Sequence, residues 1–177
     1  MAKPSDSDFY QAVQPHLLLG EQVKHFGYGV EQPVLWLTVL LYILLLGVPG
    51  YFVVGLLTRH YVFALTDARL LVVRVKGGLL EVSFDPTEVK AYPFEELAAL
   101  PIEAAVGPKT VRLQIGNPLA KPLIVRFHRA TSPGNRTNTV AIATALGTLQ
   151  ASGIDAMRAL LPEGAPKSRH SKAPPKP

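Results

Sequence analysis

From Pro33 to Leu57 the chain carries no Asp, Glu, Lys, Arg or His, and the run is interrupted near its middle by Gly47-Val48-Pro49-Gly50. An uncharged stretch of this length has no comfortable place in the core of a 177-residue soluble protein, so it reads as a membrane segment. A straight helix over 34–57 would be about 36 Å long at 1.5 Å per residue, enough to cross a hydrocarbon core of about 30 Å. Pro49 opposes that reading, because proline removes a backbone donor and clashes with the preceding turn. With Gly47 and Gly50 it could instead form a turn between two arms, 34–46 and 51–57. The second arm, about 10 Å long, is too short to cross, so such a hairpin would be re-entrant. Residues 33–58 are therefore expected to be either a kinked span or a re-entrant hairpin, anchored at the interface by Trp36, Tyr42 and Tyr51 and turned at Pro49 and Gly50.

The flanks bear on orientation. Arg59, Arg69, Arg74 and Lys76 follow the run within about 20 residues, against Lys24 alone before it. This asymmetry puts the C-terminal part in the cytoplasm. Charged residues make up 18% of the chain, below the roughly 25% of an average soluble domain, and the apolar excess sits in the one run. Net charge is +5, which suits contact with anionic headgroups. Cysteine is absent, so disulfide and thiolate chemistry are excluded. Asp6 and Asp8 stand where a signal peptide would be basic, and the apolar run begins too late for one.

Beyond the run the pattern changes to short strands. Tyr61–Leu65 and Leu70–Val75 flank a turn at Thr66-Asp67-Ala68-Arg69. Gly77-Gly78 leads into a strand at 79–84, and Asp85-Pro86 separates it from another at 88–92. Residues 95–108 read as a loop with one helical turn. In Thr110–Ile115 and Leu123–His128 apolar and polar residues alternate, the mark of a sheet with one buried face. Val140, Ile142, Ala145, Leu146 and Leu149 then recur at helical spacing, with Asn135 or Thr137 as N-cap. The expected organisation is a flexible segment 1–16, a first strand within 17–32, the membrane segment 33–58, a β domain with C-terminal helix over 59–150, a short helix within 151–161, and a disordered basic tail 162–177.

A search for chemistry finds no catalytic residue. The five histidines lie at 16, 25, 60, 128 and 170, none at metal-ligand spacing, and no nucleophile elbow or phosphate loop is present. The reading is of a non-enzyme with neither cofactor nor metal. What remains is a basic group, Arg112, Arg126, His128, Arg129 and Arg136, as a candidate surface for lipid headgroups or an acidic partner. Nucleic acid is disfavoured, because these cations lack interleaved aromatics.

Two passages resemble the bacterial pleckstrin-homology-like (PH-like) domains of small membrane proteins. Leu19-Gly20-Glu21-Gln22-Val23 is similar to the family's opening strand. The passage from Tyr61 to Val72 is similar to its hairpin after the hydrophobic insertion, with Ala68 in place of a usual basic residue. Residues 121–146 are similar to a subset of small bacterial membrane proteins. The resemblance implies a mainly β PH-like barrel or sandwich closed by a C-terminal helix, with an apolar membrane helix or helical hairpin inserted after the first strand. It also implies a location at the bacterial inner membrane, with the main domain cytoplasmic. Because Glu21–Val30 would then share a sheet with Tyr61–Leu65, it favours the hairpin. The function expected is a non-catalytic, membrane-anchored scaffold or interaction module whose partners are the bilayer and a further protein or a second copy. The alternatives are a sensor of anionic headgroups and an oligomeric assembly built through the apolar segment.

Overall fold

The structure is a computed structural model that describes residues 5–33, 35–45, 48–77, 82–128 and 131–162. The basic tail beyond 162, Arg129, Gly47 and the Gly78 half of the glycine turn lie outside these residues.

Seven antiparallel strands form one sheet: β1 (Val23–Glu31), β2 (Arg59–Thr66), β3 (Arg69–Gly77), β4 (Val82–Pro93), β5 (Ile102–Val106), β6 (Thr110–Ile115) and β7 (Leu123–His128), in the order β4-β3-β2-β1-β7-β6-β5. Helix α1 (Asp6–Val13) precedes the sheet. Helices α2 (Leu35–Leu44) and α3 (Val48–Leu57) stand between β1 and β2, and α4 (Phe94–Ala99) follows β4. Helices α5 (Pro133–Ser152) and α6 (Ile154–Ala159) end the fold.

This corrects the expected barrel or sandwich. β4 and β5 are open edges, and the sheet carries a separate core on each face, which a closed barrel with one interior cannot have. On one face Val111, Leu113, Val125 and Phe127 meet Ile142, Leu146 and Leu149 of α5, and Phe94, Leu97 and Met157 extend that core under α4 and α6. On the other, Phe9, Ala12 and Val13 of α1 pack on Val23, Tyr28, Val62, Ala64, Leu71 and Val73. The Phe9 ring stacks on Tyr28 at 5.7 Å between centroids and meets Phe84 edge-on at 5.6 Å.

The expected membrane-crossing helix is corrected as well. Among the described residues no helix is long and apolar enough to span a bilayer. The reason lies in the strands that flank the insertion. Glu31 and Arg59 are register partners at the end of the β1–β2 ladder, so the chain must return to within one strand spacing of where it left. Pro49 lies in the first turn of α3, where its missing N–H has no partner to lose, so it starts a helix rather than kinking one.

Three further elements depart from the sequence reading. Helix α1 occupies residues read as flexible, closed at its start by Ser5 and Asp8: the Asp8 N–H donates to Ser5 Oγ (3.4 Å) and the Ser5 N–H to Asp8 Oδ2 (2.8 Å). Strand β5 falls in the expected loop. β4 runs through Asp85-Pro86 with a register shift, as an edge strand can, since a proline there need not supply a ladder donor.

β1 and β7 form a ladder of only one residue pair among the described residues, Val30 with Arg126. Where the strands part, the fully buried Asn135 of α5 bridges them. Its Oδ1 accepts the Tyr28 N–H at 2.6 Å, while Nδ2 donates to the carbonyls of Tyr28 (3.1 Å) and His128 (2.9 Å). Gly27 and Gly29 let α5 and the β7 side chains come this close. A Cβ on Gly27 would lie 2.7 Å from Thr139 Cγ2, and one on Gly29 would overlap Val125 and Phe127. Ser132 caps α5 by accepting the Asn135 N–H at 3.0 Å and donates to Asp6 of α1 at 2.8 Å, tying the two layers together.

Replacing Asn135 by Ala strands one N–H and two carbonyls, at about 1–3 kcal/mol for each unsatisfied buried group. Urea unfolding of Asn135→Ala is expected to show a loss of several kcal/mol, with faster hydrogen exchange at the Tyr28 amide. A loss below about 1 kcal/mol with that amide still protected would contradict the bridging role.

Candidate functional site

The two motif passages behind the PH-like resemblance meet in space. Glu21 precedes β1 with its side chain only 3% exposed, and Arg69 opens β3. The guanidinium donates from Nε to Glu21 Oε1 and from a terminal nitrogen to Oε2, both at 2.9 Å, and from a terminal nitrogen to the His16 carbonyl at 2.9 Å. Thr66 donates to Glu21 Oε1 (2.8 Å), and the Leu18 N–H to Oε2 (2.7 Å). The Thr66 oxygen also accepts the N–H groups of Ala68 (3.2 Å) and Arg69 (3.0 Å) and so shapes the β2–β3 turn. Arg69, read from the sequence as a flanking cation, is thus committed inside the fold.

The basic candidates separate. Arg112 of β6 and Arg126 of β7 are register partners whose exposed side chains share the face opposite α5. Arg112 donates to Gln114 (3.4 Å), and neither arginine pairs with an acid among the described residues. His128 lies further along that face. Arg136 is exposed on α5, in the layer against the other face, so the structure does not bring it into one cluster with Arg112 and Arg126. Period-2 alternation correctly showed which strand residues point outward, but it could not say which face the helix would take.

The apolar segment is the part that stands outside the packed domain. Helices α2 and α3, ten residues and about 15 Å each, lie against one another. Gly50 makes the contact possible, because a Cβ there would fall 2.8 Å from the Leu41 carbonyl oxygen and 2.9 Å from Tyr42 Cα. Among the described residues ten large apolar side chains of this pair are exposed, including Trp36, Ile43 and Leu44 at 67% and Leu56 at 73%; Tyr42, Tyr51 and Phe52 are among the rest. Patches of this extent mark interaction surfaces. The last turn of α3 is closed by Thr58, whose N–H (3.0 Å) and hydroxyl (2.8 Å) both donate to the Val54 carbonyl.

The strand ends that carry the pair are braced. Tyr61 donates to Glu31 Oε2 at 2.9 Å, and Arg59 stands 3.6 Å from the same oxygen. Burial, reinforced by the Glu31 carboxylate, pushes the Tyr61 hydroxyl up to about 12. On the α1 face Tyr28 hydrogen-bonds His60 Nδ1, and burial holds that imidazole below its ordinary value. No group of three or more acids and histidines able to hold a metal occurs among the described residues. Comparison of the chain with protein-family models, curated proteins and solved structures finds no match.

Burial alone would raise the Glu21 carboxyl. The hydrogen bonds from Arg69, Leu18 and Thr66 outweigh it, and the net pKa lies below the ordinary 4.5. A carboxyl depressed in the folded state stabilises the fold above its unfolded pKa, and that contribution disappears as pH falls through the folded value. Glu21→Gln is therefore expected to cost about 3–5 kcal/mol near neutrality by leaving Arg69 unpaired. Urea titrations should show the gap to wild type narrowing below about pH 4.5. A gap constant down to about pH 3 would contradict the assignment.

Proposed function

We propose that this chain is a non-catalytic module that sits on a membrane by inserting the α2–α3 pair into one leaflet, leaving the sheet and its helices to meet a protein partner. The observation that carries this reading is the charge-free helix pair, which gathers ten exposed large apolar side chains among the described residues and stands on a domain with a buried core on each face of its sheet. Its reach of about 15 Å matches half of a hydrocarbon core of about 30 Å. The motifs at 19–23 and 61–72 support kinship with PH-like modules as part of the same proposal.

Magnitudes favour lipid as the occupant. Each large apolar side chain taken fully out of water contributes about 1.5–3 kcal/mol, so three or four match the ~5.5 kcal/mol of a single myristoyl chain. Ten are exposed on α2 and α3. The end of the domain that bears the pair suits an interface. β7 runs antiparallel to β1, so the β6–β7 loop reaches the same end and offers Leu119, 94% exposed, beside the exposed Lys121. Arg59 and Lys76 stand at this end as well.

In flotation with neutral phosphatidylcholine vesicles the full chain is expected to rise with lipid. The double variant Ile43→Glu, Leu44→Glu should remain in the dense fraction with an unchanged melting temperature, since both positions are exposed. Wild-type protein that stays dense and sediments as a dimer would contradict the reading and give the helix pair to a second copy.

A further inference from the structure

At the foot of α3 a cleft of about 540 Å³ opens between Leu56 and Thr58 on one side and Arg59, Arg74, Lys76, Thr87 and Glu88 on the other. These residues come together because of strand register. Arg74 lies opposite Tyr61 and Glu88, and Arg59 and Lys76 follow one step nearer the helix pair on the same face. That stretch of the face is not part of the core under α5, α4 and α6.

Its charges are unevenly matched. Arg74 stands 3.6 Å from Glu88, which also takes Lys90 at 3.2 Å, and Arg59 stands 3.6 Å from Glu31. Lys76 is exposed with no acid in reach among the described residues. Among the described residues the cleft lining thus holds three cations, Arg59, Arg74 and Lys76, and one carboxylate, Glu88. The arginine contacts to these carboxylates, at 3.6 Å, are ion pairs without close hydrogen bonds, so these pairs leave guanidinium N–H groups available among the described residues. The hydroxyls of Thr58 and Thr87 donate to the carbonyls of Val54 (2.8 Å) and Arg74 (3.1 Å), so the available donors are cationic ones. Donors of this kind, with a forked guanidinium among them, fit a phosphate.

We propose that this cleft binds a phosphate monoester or diester, and that Arg59 and Lys76 are its principal ligands. The inference rests on the membrane reading for the source of that phosphate. With α2 and α3 in one leaflet, the cleft lies at headgroup depth, and the ligand is the phosphate of an anionic lipid.

The test compares partition of the full chain onto neutral phosphatidylcholine vesicles and onto vesicles containing phosphatidylglycerol. The double variant Arg59→Gln, Lys76→Gln is expected to keep wild-type partition onto neutral vesicles and to lose about thirtyfold in preference for anionic ones, roughly fivefold per cation. The control Lys24→Gln, Lys109→Gln removes the same charge at the opposite end of the sheet and should keep the preference. An unchanged preference in the Arg59/Lys76 variant, or an equal loss in the control, overturns the proposal. Titration with inorganic phosphate, followed by amide chemical shifts, separates the two sources. If wild type fails to bind neutral vesicles, the insertion reading fails. The phosphate site then stands on shifts at residues 58–60 and 74–76 that vanish in the variant, and falls if they are absent.

Discussion

The side-chain amide of Asn135 is the joint on which the sheet depends. Without it the four strands β4-β3-β2-β1 and the three strands β7-β6-β5 would share, among the described residues, a single ladder pair. An amide suits the place because it accepts and donates at once and substitutes for a short piece of neighbouring strand. Its burial is tolerable only because every contact is made, and the close approach that allows this needs glycine at 27 and 29. The same joint fixes α5 over one face and, through Ser132 and Asp6, ties it to α1 over the other.

That frame decides what the apolar segment can be. Because β1 and β2 pair up to Glu31 and Arg59, anything between them must leave and return at one end of the sheet. Under that constraint the uncharged run carries two short helices, packed on one another through Gly50 and with ten large apolar side chains exposed among the described residues. Braced strand ends at Tyr61, Glu31 and Arg59 then hold a water-averse element on a stable domain.

Much of this was legible in the sequence where one periodicity dominates. Strands β6 and β7 coincide with the alternating segments, and the β2–β3 turn falls at Thr66–Arg69, where the Thr66 hydroxyl supplies the turn chemistry and the Asp67 carboxylate instead accepts the Gln22 N–H. Helix α1 was missed although Ser5 and Asp8 form a cap signal and Phe9, Ala12 and Val13 lie three and four residues apart. Its short, polar-rich stretch has too few apolar residues to outweigh the look of a terminus. β5 hid in an alanine-rich stretch with weak alternation, and β4 hid behind a proline that only an edge strand tolerates. Whether a sheet closes depends on its two edges meeting, which no local pattern encodes. For the same reason Arg112 and Arg126 stand on one face of the sheet and Arg136 in the layer over the other, while Arg59, Arg74 and Lys76 converge only through register between two strands.

The most direct test of leaflet insertion uses the chain's single tryptophan, Trp36, which stands exposed in the first turn of α2. Its emission would be recorded with vesicles whose lipids carry a quencher at either a shallow or a deep acyl position. Insertion of the helix pair requires a blue shift and stronger quenching from the shallow position, since Trp36 lies at the base of the pair. Emission that stays at the wavelength of a water-exposed indole, equally insensitive to both quenchers, would contradict the account.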